Sequence, residues 1–252
     1  MPCSAHFCQP SFRKWVDRSR RRLARALWPT SCILCGGAGG EDIDLCGDCA
    51  ADLSRNEPAC GVCAEPLSGA NSEPRVCGTC RRDPPPFASS YVPFRYAYPL
   101  DHLVQGLKFR NELACGRVLG QLFAGGLLAR GTPLPAAIIP VPLALRRYRQ
   151  RGYNQASELA LSIRRVTGVA VRSDIAIRQR ETAEQAGLDR KARLRNVTGA
   201  FGAVAPLPAR HVAILDDVVT TGSTVRELAA VLQQAGAEQV AVWAIARTAA
   251  TT

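Results

Sequence analysis

Val212-Ala213-Ile214-Leu215-Asp216-Asp217-Val218-Val219-Thr220-Thr221-Gly222-Ser223-Thr224 is the stretch on which the reading of this chain turns. A short apolar run of buried-strand type, Val212 to Leu215, leads into two carboxylates. A turn through Thr220–Gly222 then opens a helix from about Ser223. That helix carries Val225, Leu228, Ala229 and Leu232 on one face, Gly236 closes it, and Val240 to Ala246 reads as the next strand. Strand–helix–strand with short connections predicts a parallel βαβ unit in a doubly wound α/β sheet. Such sheets bind ligands outside the carboxyl ends of their strands, which is where Asp216 and Asp217 fall. The free N–H groups of the helix start, its dipole and the hydroxyls of Thr220, Thr221, Ser223 and Thr224 make a phosphate cradle. Gly222 lets the backbone approach closely. Adjacent carboxylates suit ribose hydroxyls, directly or through Mg²⁺. The chemistry implied is a seat for a ribose 5-phosphate, against the plainer alternative of a Ser/Thr-capped turn. The stretch is neither a Walker A loop nor G-x-G-x-x-G.

Upstream, the same alternation continues. Segment 91–96 is extended, and residues 112–129 form a helix with Leu119, Leu122, Phe123 and Leu127 on one face. Ala136 to Val141 is a short apolar strand. A second helix starts near Asn154, carries Ala156, Leu159, Ala160 and Ile163, and ends at Gly168. Extended pieces near 169–177 precede a polar, Arg-rich stretch, 178–198, without a clear period.

Charge and cysteine separate the rest of the chain into unlike pieces. The 252 residues carry a formal +11, but residues 1–31 hold +6, residues 32–90 hold −5 and residues 91–252 hold +10. Eight of the 11 cysteines lie in the acidic piece, as Cys32/Cys35, Cys46/Cys49, Cys60/Cys63 and Cys77/Cys80. Each C-x-x-C turn aims two sulfurs at one centre, and two turns complete a tetrahedral thiolate cage for zinc. Two structural Zn²⁺ ions are expected. A disulfide framework is the weaker reading without a secretory leader, and a redox pair would need one turn rather than four. The pairing of the turns is taken in chain order, although spacing alone also permits a crossed arrangement. Few large aliphatic residues lie in 32–82, so metal must supply what a core cannot. Asp83-Pro84-Pro85-Pro86 reads as a stiff linker. The organisation expected is therefore a basic segment, 1–31, a double zinc ribbon, 32–82, a linker, 83–90, and an α/β domain, 91–252. Cys3, His6 and Cys8 lack a fourth ligand, and Cys115 reads as a small core residue. Residues 12–27 have the pattern of an amphipathic helix with an Arg-rich face. No uncharged stretch exceeds 15 residues, and the Arg-rich start has no apolar signal region, so a cytoplasmic protein without a spanning helix is expected.

The quoted stretch resembles the signature by which type I phosphoribosyltransferases bind 5-phosphoribosyl 1-pyrophosphate (PRPP). Ile139-Pro140-Val141-Pro142-Leu143, then Arg151-Gly152-Tyr153-Asn154-Gln155, is similar to the ComF/GntX family, as is Leu107-Lys108-Phe109-Arg110. Leu27-Trp28-Pro29 before Cys32 resembles the family's entry to a cysteine-rich ribbon. The resemblance covers about residues 23–247. It implies an α/β, parallel-sheet type I phosphoribosyltransferase fold preceded by a small double zinc-ribbon module. It also implies PRPP with Mg²⁺ as ligand, Asp216 and Asp217 on the ribose diol or metal, and Thr220, Thr221, Gly222, Ser223 and Thr224 on the 5-phosphate. Arg146, Arg151 and Arg180 are the candidates for pyrophosphate, and 180–196 for a loop that closes over the site.

Three functions follow as expectations. Arg146-Arg147-Tyr148-Arg149-Gln150-Arg151-Gly152-Tyr153 interleaves cations with aromatics, which suits phosphates and stacked bases as well as it suits a solvated charged face. Family members are linked to natural transformation, so the resemblance favours an accessory of DNA uptake that binds PRPP and single-stranded DNA, with a helicase or another uptake protein as partner. The second reading is an active phosphoribosyltransferase on a nucleobase-like acceptor, with Asp217 as its candidate catalytic group. The third is a zinc-ribbon partner-docking protein.

Overall fold

The computed structural model describes residues 30–69, 76–180, 197–204, 207 and 210–249. The chain divides into two compact units between Ala50 and Ala51. In the first unit the Cys32–Cys35 knuckle is closed by short main-chain bonds, Cys32 N–H to Gly37 O at 2.7 Å and Gly36 N–H to Cys32 O at 2.8 Å. A short helix, α1 (Gly47–Ala51), follows Cys46.

The second unit opens on another knuckle, in which Cys60 N–H donates to Glu65 O and Ala64 N–H to Cys60 O, both at 2.8 Å. A short helix, α2 (Gly78–Arg82), carries Cys80. The larger elements follow in the order β1 (Ser89–Tyr91), β2 (Phe94–Arg95), α3 (Leu100–Phe109), α4 (Leu113–Ala129), β3 (Ala137–Pro140), α5 (Leu145–Arg151) and α6 (Gln155–Thr167). Then come β4 (Ala170–Val171), β5 (Ala176–Arg178), β6 (Phe201–Ala203), β7 (His211–Val219), α7 (Ser223–Gln234) and β8 (Gln239–Arg247).

The main sheet runs β1-β8-β7-β3-β4 with every pair parallel, and β2 continues alongside β8. A parallel strand covered on both faces must be apolar throughout, and β8 is buried at every position after Gln239. Ile139, Ile214, Val242 and Ala244 share one core with Val225, Leu228, Ala229 and Leu232 of α7. Trp243 packs instead 5.5 Å from Phe123 of α4, and Phe123 takes Tyr91 edge-on at 4.8 Å. Leu228 is fully buried, so trimming it to alanine costs about 3 kcal/mol. Helices α4 and α6 cross closely because Gly120 has no side chain; a Cβ there would lie 2.5 Å from Ser162 Cβ.

The mixed, mainly parallel α/β architecture behind a cysteine-rich module is the one expected, with instructive differences. Asn154 caps α6 by accepting from Ala156 N–H at 3.0 Å, and Gly168 ends it in the left-handed region. Strand β7 extends past Leu215 to Val219, since Val218 and Val219 stay in register with Ala246 and Arg247. Asp216 and Asp217 therefore lie inside the strand and not after it. Helices α3 and α5 are additions; α5 buries none of its side chains, so no apolar stripe announces it. Segment 83–90, read as a linker, puts Phe87 in the core, pairs Ala88 N–H with Val240 O at 2.9 Å and opens β1. Cys115 is buried, as expected. The pattern at 12–27, the Cys3/His6/Cys8 cluster and residues 181–196 of the expected closing loop lie outside the described residues. Among the described residues no helix is long and apolar enough to cross a membrane.

Candidate ligand cleft and zinc tetrads

Strand β3 leads outward to β4 while β7 leads the other way to β8, so the sheet's order reverses between β3 and β7. At such a switch the connections leave on opposite sides and open a crevice at the strands' carboxyl ends. A cleft of about 630 Å³ lies there. Val141, Pro142 and Leu143 beyond β3 form one wall, and residues Asp216 to Val225 form the floor. Lys108, Phe109 and Asn111 enter from the end of α3, and Arg147 and Arg151 from α5. Asn111 has φ +57, a conformation asparagine tolerates better than other side-chain-bearing residues.

The turn before α7 has the chemistry to seat an anion. Gly222 sits at φ +78 as the residue preceding the helix, and the Thr221 and Ser223 hydroxyl oxygens are 2.7 Å apart. The first N–H groups of α7 have no intrahelical acceptors and point the positive end of the helix at the cleft. Behind the turn, the Arg247 guanidinium donates to Thr220 O and ion-pairs with Glu65, and its side chain is 5 % exposed.

The two carboxylates are not equivalent. Asp217 is 5 % exposed, with Oδ2 2.8 Å from Lys108 Nζ and Oδ1 accepting from Val218 N–H at 2.7 Å. Asp216, half-buried, accepts from Asp217 N–H at 2.9 Å. Burial first, and the neighbouring Asp217 charge second, push the Asp216 carboxyl up to about 7. For Lys108 burial works against the charge, but Asp217 and then Asp216 outweigh it and hold the ammonium above its ordinary value. Asp217 thus has a resident counter-ion, and Asp216 is the carboxyl on which a cation or a pair of hydroxyls gains most.

Of the other residues singled out from sequence, Arg151 lines the cleft, Arg146 is exposed and is not among the lining residues, and Arg147 takes the place expected of it. Arg180 is exposed and donates to Thr198 O at 2.8 Å. The Arg151–Gln155 motif acts largely as scaffold. Arg151 donates to Gln155 Oε1 at 2.7 Å, Gly152 ends α5 at φ +80, and the Tyr153 hydroxyl donates to Leu107 O. Asn154 Nδ2 donates to Val141 O at 2.9 Å. One short segment thereby ties together the end of α3, the loop after β3 and the start of α6. Lys108, Asn111, Glu65 and Arg247 gave no functional signal in sequence, although Leu107-Lys108-Phe109-Arg110 carried part of the family likeness.

The cysteines assemble in chain order. Cys32, Cys35, Cys46 and Cys49 form one tetrad and Cys60, Cys63, Cys77 and Cys80 the other, with all four sulfurs of each within 4.8 Å of one another. The crossed pairing is thereby excluded. Cys35 and Cys46 sulfurs are 3.8 Å apart and Cys63 and Cys77 sulfurs 3.7 Å. A tetrahedron with Zn–S bonds of about 2.3 Å has an edge of about 3.8 Å, whereas a disulfide needs about 2.05 Å. The donor sets fit two structural Zn²⁺ ions with no open position. Amides support the thiolates, as in Cys49 N–H to Cys46 Sγ at 3.4 Å and Cys77 N–H to Cys60 Sγ at 3.3 Å. Burial opposes ionisation of Cys32, but the amides of Cys35, Cys46 and Leu34 outweigh it and bring the thiol down to about 6. The same contest brings Cys60 down to about 7.

Residues 23–90 match the family model of a double zinc ribbon domain. DNA utilization protein YhgH of Salmonella typhi is 39 % identical over 208 residues, covering 81 % of this chain and 90 % of that protein. The YhgH protein of Salmonella typhimurium is 37 % identical with the same coverage. Competence protein F of Haemophilus influenzae is 35 % identical over 210 residues, again 81 % and 90 %. With that identity along most of both chains, and a double ribbon ahead of a parallel α/β domain, the chain belongs to the ComF family.

Proposed function

We propose that this protein binds PRPP with Mg²⁺ in the cleft and serves DNA uptake as a cytoplasmic accessory that handles single-stranded DNA. The observation that carries the ligand is the succession, at the sheet's switch point, of Asp216, Asp217 and the Thr220–Thr224 turn that opens α7. The turn and helix start seat the 5-phosphate, and Asp216 takes the ribose hydroxyls or a divalent ion. Arg147 and Arg151 on the facing wall meet the pyrophosphate charge. Mg²⁺, when bound, supplies charge neutralisation at the pyrophosphate. The DNA role is supported by the names of the relatives, DNA utilization and competence proteins. It is also supported by the exposed Arg146, Tyr148 and Arg149 of α5 beside the cleft.

Calorimetry of the zinc-loaded chain with PRPP and Mg²⁺ tests the ligand. Binding that Asp216→Asn and Thr221→Ala both weaken supports the reading, and no heat at millimolar PRPP ends it. Titration of a single-stranded oligonucleotide at two salt concentrations tests the DNA role, with affinity falling steeply as salt rises. A second reading, transfer to a nucleobase-like acceptor, is favoured by Phe109, which is 71 % exposed in the cleft wall with the Arg151 guanidinium 5.3 Å over its ring. Pyrophosphate release from PRPP across a panel of bases separates the two.

A further inference from the structure

The second tetrad is built into the ligand-binding unit. Ala64 belongs to the same buried cluster as α7, with Val62 and Cys63 packed against it. The buried Asn56 side chain donates to Ala64 O at 2.9 Å and to Val92 O at 3.2 Å, and the Ser90 hydroxyl donates to Val62 O at 2.6 Å. Glu65 closes the knuckle itself, since its carbonyl accepts from Cys60 N–H. Its carboxylate meets Arg247 at the end of β8, and the other arm of that guanidinium holds Thr220 O. Arg247 is almost fully buried, and a buried cation is kept there only by the groups that pair with it. One side chain therefore joins a zinc knuckle to the first residue of the phosphate turn.

We propose that the Glu65–Arg247 tether makes the second zinc tetrad a control point for the phosphate turn. Zinc fixes the knuckle, the knuckle fixes Glu65, Glu65 orients Arg247, and Arg247 holds the Thr220 carbonyl so that the following N–H groups converge on the ligand. Arg247 is a positioning residue in this scheme. The scheme rests on the PRPP reading for the identity of the ligand, but the tether itself does not. By reciprocity, a ligand seated in the turn must in return strengthen zinc retention at Cys60, Cys63, Cys77 and Cys80.

The test uses the full zinc-loaded chain. Hydrogen exchange at residues 220–224 is compared between the natural sequence and Glu65→Gln, with α6 as the internal control. Losing a charge-assisted bond behind the turn speeds exchange there by about tenfold while α6 is unchanged. Unchanged exchange at 220–224 overturns the tether. Should Glu65→Gln loosen the whole chain, Arg247→Lys decides, because it keeps the charge and loses the two-armed fork. Local loosening in that variant supports the proposal and its absence overturns it. In parallel, alkylation of Cys77 and Cys80 in the presence of a zinc-selective chelator that leaves Mg²⁺ in solution is followed by mass spectrometry with and without PRPP–Mg²⁺. Saturating ligand is expected to slow it by about fivefold in the natural sequence and not in Glu65→Gln. If calorimetry shows that PRPP does not bind, the ligand reading falls, and the exchange result still judges the tether.

Discussion

Asp216 puts a cost into the ligand-free fold that a single substitution removes. Its carboxyl has an ordinary value of 3.8 and is pushed up to about 7, first by burial and then by Asp217. A folded-state value raised above the unfolded one means that the folded chain holds the proton longer. The stability linked to this group is therefore fully present below pH 3.8 and is lost as pH rises through about 7. Roughly three pH units correspond to about 4 kcal/mol, and partial screening from the open side of the cleft leaves about 2 kcal/mol to be found between pH 5 and pH 8. Asp216→Asn keeps an oxygen for Asp217 N–H and carries no proton to lose. Urea denaturation of the zinc-loaded chains at pH 5, 6, 7 and 8 reads the difference, and subtracting the two proteins at each pH cancels the titrating groups that do not interact with Asp216, which leaves Asp217 and Lys108 in the difference. Asp216→Asn should gain on the natural sequence as pH rises, by about 2 kcal/mol overall, with most of the change between pH 5 and pH 7 and the gap levelling near pH 8. The same variant should lose PRPP binding, because an amide neither ligates Mg²⁺ well nor accepts as strongly from ribose hydroxyls. In the natural sequence, affinity for Mg²⁺–PRPP should rise between pH 6 and pH 8 as the competing proton leaves. A stability gap that stays constant across the series would falsify the argument that Asp216 is held in a penalised state.

Other perturbations have defined outcomes. Lys108→Met leaves Asp217 buried without its cation and should cost about 3 kcal/mol in urea denaturation, of which the double variant with Asp217→Asn recovers a measurable part. Gly222→Ala forces a side chain onto φ +78, so stability should fall by about 1 kcal/mol and PRPP affinity with it, both readable in one thermal-shift series with and without ligand. Replacing Arg146 and Arg149 by alanine should lower the slope of log affinity for single-stranded DNA against log salt by about 0.7 per arginine, and should leave PRPP binding intact.

The parts of this protein that were legible in its sequence are those whose physics is local. A strand followed by a hydroxyl-rich turn and a helix declares itself within 13 residues, Val212 to Thr224, and the four C-x-x-C turns declare a metal within eight cysteines. Both are organised by neighbours along the chain. The electrostatic partners were not legible, because they come from far away. Lys108 reaches Asp217 from the end of α3, and Arg247 reaches Glu65 across 182 residues. A lysine or arginine carries no mark in sequence of the carboxylate it will meet. Helix α3 is of another kind: Leu100, Leu103, Val104 and Leu107 repeat at helical spacing, and the end of the helix that this stripe defines lines the cleft.

Arg151-Gly152-Tyr153-Asn154-Gln155 makes the converse point. As a motif it drew attention for its arginine, yet four of its five residues hold scaffold: a helix end, the Leu107 carbonyl, the Val141 carbonyl and the Arg151 guanidinium itself. The consequence is mechanical. Lys108 stands next to Leu107, and Val141 itself lines the cleft, so Tyr153 fixes a neighbour of a cleft residue and Asn154 a residue of the cleft wall, neither of them entering the cleft. A recognition site for a highly charged ligand needs its cations and carboxylates held apart before the ligand arrives, since they would otherwise collapse on one another. The pairing of Lys108 with Asp217, and the anchoring of the segments that carry Lys108 and Pro142 by Tyr153 and Asn154, meet that need. Asp216 is left as the carboxyl whose charge is costly until a ligand or a cation relieves it.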